Sequence, residues 1–309
     1  MLGREGHDKD FVVVGGNPEE FTRQGFKRVG KDFPVFLHPQ TGEEYAFARK
    51  EIKTSSGHKG FSFESSPAIT LAEDLLRRDL TINAMAEDPD TKEIIDLHHG
   101  QKHLKEKILQ HVSPHFIEDP LRVLRVARFH AQLPEFKVAT ETLALMKKMV
   151  DSQELLTLSG ERIAGELKKA LSAPCPENFF FTLDACAALS QLFPELTALK
   201  SIPQRPDYHP EGDVWNHTFL TLKNICSLTN NWETRFAALV HDLGKAATDK
   251  TKWPSHHAHE HLGLKIIEQL SMRLRLPNST RDLALKCCRY HLHVLRVDEL
   301  RGTTVHDML

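Results

Sequence analysis

The apolar spacing changes character once along the chain, near Ser113, and that change divides it into a mixed α/β part and a helical part. Upstream, Phe11-Val-Val-Val (closed by Gly15-Gly16), Pro34-Val-Phe-Leu-His and Glu43–Ala48 are extended candidates. Alternation in the last puts Tyr45 and Phe47 on one face and Glu44 and Ala46 on the other. Asn17-Pro18 reads as a capped helix start, Thr54–Gly60 as a polar loop, Leu71–Met85 as a helix and Ile94-Ile-Asp-Leu as a short strand. Downstream, Asp119–Leu133, Thr140–Val150, Ser159–Leu171 and Asn178–Leu189 show helical spacing. Ser201–Pro210 reads as a proline-rich linker, with more helices after it. No internal repeat is evident, and 309 residues accommodate two or three domains.

Composition narrows the setting more than the function. The five cysteines are odd in number and form no CxxC pair, which fits a reduced, cytoplasmic environment. No apolar stretch approaches the roughly 20 residues of a membrane helix, and the polar start Met1-Leu-Gly-Arg-Glu-Gly-His-Asp reads as no secretory signal. A net charge of −2 provides no general basic field, so any RNA contact must come from a local patch.

Three segments in the first half carry phosphate chemistry. Asp8 and Asp10 sit two apart at the mouth of a strand, so both carboxylates face one side. Their separation of about 6–7 Å suits two Mg²⁺ ions about 3.5–4 Å apart around an in-line phosphoryl displacement. Two acids before a strand are also ordinary solvated turn residues. In Arg77-Arg-Asp-Leu-Thr-Ile-Asn, Asp79 and Asn83 are four apart beside Arg78, whose planar fork suits a triphosphate; an exposed salt-bridged helix is the bland alternative. Arg122, Arg125 and Arg128 recur every third residue over an arc of about 120°. If unpaired, they repel one another and call for an anionic ligand. Asp119 and Arg122 place an acceptor and a donor a turn apart, as the polar edge of a nucleobase requires.

Ten of the 19 histidines lie at or beyond His209, marking a second chemical centre. His217 precedes an adjacent His241-Asp242 pair at the end of an apolar helix, and His256, His257, His259, His261, His291 and His293 follow. Imidazoles with a carboxylate suit divalent transition metals, which lower the pKa of bound water toward neutrality. Most isolated histidines are satisfied surface or core groups.

Asp8-Lys-Asp, Arg77-Arg-Asp-Leu-Thr-Ile-Asn and Glu118-Asp-Pro-Leu-Arg-Val-Leu-Arg-Val-Ala-Arg-Phe, in this order, resemble the class II tRNA nucleotidyltransferases, or CCA-adding enzymes. Phe33-Pro-Val-Phe-Leu-His-Pro resembles the long bacterial multifunctional form, and His241-Asp-Leu-Gly-Lys the HD phosphohydrolases. The bacterial poly(A) polymerases, usually more basic in the Phe33 stretch, rank second.

The resemblance implies an α+β chain. A polymerase β-like nucleotidyltransferase head over 1–112 would precede an all-α neck and body over 113–206 and an α-helical HD domain over 207–309. It implies CCA addition to tRNA from CTP and ATP. Asp8 and Asp10 would hold Mg²⁺, while Arg78, Arg125 and Arg128, with Asp79 and Asn83 beside them, would serve the triphosphate. Asp119 and Arg122 would act as template for the base. His217, His241 and Asp242 would hold an HD metal, Ni²⁺ or another divalent ion, with Lys245 supporting a phosphate. That site would give phosphatase and 2′,3′-cyclic phosphodiesterase activity. Its closing ligand, usually an aspartate, is left to Asp298 or His291. Relatives carry a Gly-Gly-x-Val-Arg-Asp loop ahead of the point where this sequence opens, and helices beyond its last residue, so a member shortened at both ends is expected, as a monomer or homodimer. An HD phosphohydrolase with an inactive head, and an RNA-binding remnant that turns nothing over, are the other readings.

Overall fold

The structure, a computed structural model, describes residues 9–29, 35–53, 61–64 and 67–308. It divides into two compact units, the first running to residue 106 and including 110–119, the second comprising 107–109 and 120–309.

The first unit opens with β1 (Asp10–Val13), α1 (Pro18–Arg23), β2 (Lys27–Val29), β3 (Val35–Leu37) and β4 (Glu44–Phe47). The four strands form one sheet in the order β1-β4-β3-β2, with β1 parallel to β4 and the other pairings antiparallel. In-register partners share a face, so the Phe11 and Tyr45 rings stack at 4.5 Å, and Phe21 of α1 meets Phe36 and Phe47 edge-on. The predicted Asn17 cap is present: its side chain accepts from Glu19 N at 2.9 Å, with Pro18 in the first helical position. A hairpin of β5 (Lys50–Lys53) and β6 (Phe61–Glu64) follows, and the loop expected at 54–60 lies outside the described residues.

Leu71–Met85 is not one helix. A Thr70–Glu73 capping box starts α2 (Leu71–Leu76), which stops at Arg77; a 3-10 turn covers Thr81–Asn83, and Met85 opens β7 (Met85–Glu87). Leu80 and Ala84 are fully buried, which is why the apolar spacing looked helical. Instead, Leu80 makes a backbone bridge to His111, and Thr81 N donates to Gln110 O at 2.9 Å. β8 (Ile94–Asp96) pairs with β7, and α3 (Gly100–Glu106) completes the unit.

The second unit is helical apart from β9 (Ile108–Leu109) and its parallel partner β10 (Lys137–Val138). Its first helices are α4 (Leu121–Gln132), α5 (Thr140–Asp151), α6 (Gly160–Leu171), α7 (Glu177–Ala185), α8 (Ala188–Leu192) and α9 (Pro194–Thr197). The helix expected over 178–189 breaks where Ala187 adopts a left-handed backbone. Next come α10 (Val214–Ile225), α11 (Trp232–Val240), α12 (His259–Leu274), α13 (Asn278–Tyr290) and α14 (Gly302–Met308). α4 packs on α6 and α7, α10 on α11, and α13 on both α11 and α12. The supposed linker is partly interior: Ile202 and Gln204 are buried, and Ser201 N donates to the Asp213 carboxylate at 2.9 Å. No helix among the described residues is long and apolar enough to cross a membrane.

Candidate metal centre and phosphate-binding residues

In the first unit, Asp10 is exposed at the first position of β1, and the register sets Glu44 beside it on β4. Asp8 lies outside the described residues. Asp79 Oδ1 accepts from Asn83 Nδ2 at 3.2 Å, the contact their spacing predicted, but across a 3-10 turn. The neighbouring Arg78 leans on Asp74. Asp74, 1% exposed, takes Arg77 Nη2 at 2.6 Å on one oxygen and Arg78 Nη2 at 3.2 Å on the other. Arg77 also donates to Arg49 O at 3.2 Å. An acid three and four positions before two arginines was a readable helical pairing signal.

Burial works against the Asp74 charge, yet Arg77, and after it Arg78, hold its carboxyl below the ordinary carboxylate range. A depressed folded-state pKa means that this pairing stabilises fully above the unfolded value and is lost as pH falls through the folded one. Asp74→Asn is therefore expected to cost the first unit about 1–3 kcal/mol at neutral pH, because it takes the counter-charge from two half-buried arginines. Denaturant unfolding that shows wild-type stability contradicts this.

On α4 of the second unit, Arg122 and Arg128 are buried and Arg125 is half-buried. The expected row of unpaired cations does not hold at Arg128. Its Nε lies 2.5 Å from Glu166 Oε2, its Nη1 donates to Gln132 at 2.6 Å, and its guanidinium covers Phe129 at 4.0 Å. Glu166 arrives from α6 through the packing of α4 on that helix, which no local spacing reveals. Asp119 is half-buried, in extended backbone at the end of a 3-10 turn in the first unit.

The histidines of the second unit converge. Asp242, at the end of α11 and 1% exposed, faces four imidazoles. Its Oδ2 lies 3.6 Å from His217 Nε2 and 3.3 Å from His241 Nε2, and its Oδ1 lies 3.2 Å from His259 Nε2 and 3.6 Å from His291 Nε2. His217 comes from α10, His259 from the first position of α12, and His291 from the end of α13. Gly244 permits this approach: a Cβ there would stand 1.9 Å from His259 O, so the turn after Asp242 lies directly on the start of α12.

These imidazoles are set up as ligands. His241, His259 and His291 each point Nδ1 at the backbone carbonyl three residues earlier, Ala238, His256 and Cys288, at 2.7, 2.7 and 2.8 Å. A carbonyl only accepts, so each Nδ1 carries a proton, and each ring whose Nε2 is unprotonated turns that lone pair toward Asp242. His259 Nε2 and His291 Nε2 are 3.2 Å apart, and Asp242 Oδ1, buried between such lone pairs, has no hydrogen-bond donor. An anion ringed by lone pairs is satisfied by a cation, so the donor set fits a divalent metal. Burial pushes His217 down and His291 to about 4, keeping both neutral. Burial also opposes charge on His241, but the Asp242 carboxylate outweighs it and raises that ring.

His217, His241 and Asp242 are thus brought together, with His259 and His291 added. Asp298 is exposed and belongs to no potential ligand group among the described residues. His257 and His261 are exposed, and His256 is engaged by Thr248 Oγ1 and Pro203 O. Lys245 is not free for a phosphate: buried, it pairs with Asp242 Oδ2 and donates to Gln204 Oε1, each at 2.7 Å.

Family profiles match along the chain: "Poly A polymerase head domain" over residues 1–110, "Probable RNA and SrmB- binding site of polymerase A" over 135–200, and "HD domain" over 214–306. Among similar proteins, a "Multifunctional CCA protein" of Alkalilimnicola ehrlichii is 50% identical over 311 residues, covering 100% of this chain and 75% of that one. The protein of that name from Vibrio cholerae is 51% identical over 300 residues, 96% of this chain and 74% of its own. Among solved structures, a CCA-adding enzyme in apo form matches with TM-score 0.65 at 22% identity, over 100% of this chain and 69% of that one. The Thermotoga maritima CCA-adding enzyme complexed with tRNA matches with TM-score 0.63 at 20% identity, over 100% and 68%. At such identities these structures establish a shared fold.

Proposed function

Because the chain belongs to the multifunctional CCA proteins, we propose that it adds CCA to tRNA 3′ ends from CTP and ATP and carries a metal-dependent phosphohydrolase in its helical unit. The likeness across the whole chain, with the linked motifs at Asp10, Arg77-Arg78-Asp79 and Asp119–Arg128, carries the first activity. The four Nε2 atoms turned on Asp242 carry the second. The relatives are named for CCA addition, which favours CTP with ATP over the ATP-only poly(A) polymerase reading.

Both activities use divalent metals. In the first unit Asp8 and Asp10 would hold Mg²⁺, which when bound neutralises the charge of the transferring phosphoryl group. Arg78, braced by Asp74 and beside the Asp79–Asn83 pair, binds triphosphate. On α4, Arg125 and Arg128 serve the same ligand, Arg128 held in place by Glu166 rather than free, while Asp119 and Arg122 select the base. In the second unit His217, His241, Asp242, His259 and His291 would hold the metal, Ni²⁺ or another divalent transition ion that imidazole-rich ligands suit. Lys245 balances part of the Asp242 charge there. Residues 1–112, 113–206 and 207–309 are the corresponding head, neck with body, and HD parts.

The test supplies tRNA lacking its CCA end with CTP, ATP and Mg²⁺. The chain should extend it, and Asp10→Ala should end the extension while the second unit's hydrolysis continues. Failure to extend tRNA or to bind either nucleotide would refute the polymerase reading.

A further inference from the structure

The segment entering α10 does more than connect. Pro203 O accepts from His256 Nε2 at 2.8 Å, Gln204 takes Lys245, and Asp213 caps the helix through Asn216 N at 2.9 Å. Between these anchors stands Glu211, half-buried, whose Oε1 lies 2.6 Å from His217 Nδ1 and 3.0 Å from His209 Nδ1. The His209 ring meets the His217 ring edge-on at 4.6 Å, closing the far side of the contact.

His217 is thereby held differently from its three companions. They give Nδ1–H to neutral backbone carbonyls within their own segments. His217 gives its proton to a carboxylate that two imidazoles share. A carboxylate acceptor forms the shorter, charge-assisted bond and withdraws the Nδ1 proton more strongly, making the opposite nitrogen a better donor to a cation.

We propose that Glu211, steadied by His209, is the positioning residue that fixes the tautomer and ring orientation of His217 and strengthens it as a metal ligand. The inference rests on the reading of the Asp242 cluster as a metal site, and it assigns to the HPEGD segment ahead of α10 a part in that site.

Co²⁺ is the probe, titrated into the metal-free full chain, with affinity read by chelator competition and ligand geometry by the visible absorption of the bound ion. Glu211→Ala should weaken Co²⁺ binding by about 10–100-fold and alter the spectrum. Glu211→Gln keeps an acceptor oxygen without the charge, so it should fall between Ala and wild type. Neither variant should change CCA addition, which reports that the chain is folded. If wild type binds Co²⁺ and Glu211→Ala binds it within about threefold, below the range for outer-shell partners, with an unchanged spectrum, the inference is overturned and the metal site stands. If wild type binds no Co²⁺, both are overturned.

Discussion

Asp242→Asn is expected to abolish metal-dependent phosphohydrolysis while CCA addition continues. Asp242 is the one group that all four imidazoles face, and each of its oxygens lies within 3.6 Å of two Nε2 atoms. An amide offers one acceptor where the site uses two. If its oxygen turns to Lys245, its NH₂ points at the lone pairs of His259 and His291; if reversed, its NH₂ confronts the Lys245 ammonium. Either way the negative charge that draws a cation is gone. Metal affinity should fall by more than the about 10–100-fold that outer-shell changes cost.

Metal binding by the wild type should itself weaken on acidification. His241 is raised by Asp242 and takes up a proton that the metal must displace, whereas His291, at about 4, stays unprotonated further into the acid range. Metal content together with hydrolysis of a 2′,3′-cyclic nucleotide checks this. A variant that retains wild-type metal and turnover would remove Asp242 from the site.

What the sequence made legible followed from local chemistry. The HD pair is adjacent, the Asn17-Pro18 cap is written in two residues, and strand alternation set Tyr45 and Phe47 on the face that α1 covers. His291 stood beside Asp298 as a possible closing ligand and His259 was one of four histidines between 256 and 261; the packing of α12 and α13 is what singles them out from Asp298, His257 and His261. Arg128 illustrates the same limit from the other side. Its spacing with Arg122 and Arg125 is that of an open cationic row, yet its partner Glu166 lies on another helix. Burial of Leu80 and Ala84 mimicked a longer α2 because apolar periodicity reports what is interior, not which backbone bonds are made. Asp74 is a different case: it sits one turn before the two arginines that it orients, and nothing in its own spacing marks it as buried.

The largest effect on stability is expected at Arg235, which lies six residues before the HD pair and is 2% exposed. Its guanidinium spends its donors on oxygens at the ends of separate helices. Nη1 reaches Leu171 O and Ala173 O at 2.7 and 2.8 Å, Nε reaches Thr229 O at 2.9 Å, and Nη2 reaches Asn230 Oδ1 and Cys226 O at 3.1 and 3.4 Å. Leu171 and Cys226 terminate α6 and α10, where unpaired carbonyls and the negative end of the helix dipole favour a cation. The side chain therefore pins α6, α10 and α11 at one point and neutralises itself on dipoles. Arg235→Ala leaves several buried carbonyls without donors at about 1–3 kcal/mol each, so the second unit should lose about 4 kcal/mol or more. Arg235→Lys should recover little, since an ammonium at one point cannot span two helix ends and the loop before α11 with the geometry of the planar fork. Chemical denaturation followed by the tryptophans of this unit, Trp215, Trp232 and Trp253, measures both. A loss below about 1 kcal/mol for the alanine variant would mean that those carbonyls find other donors and that the buried arginine is not what fastens the helices.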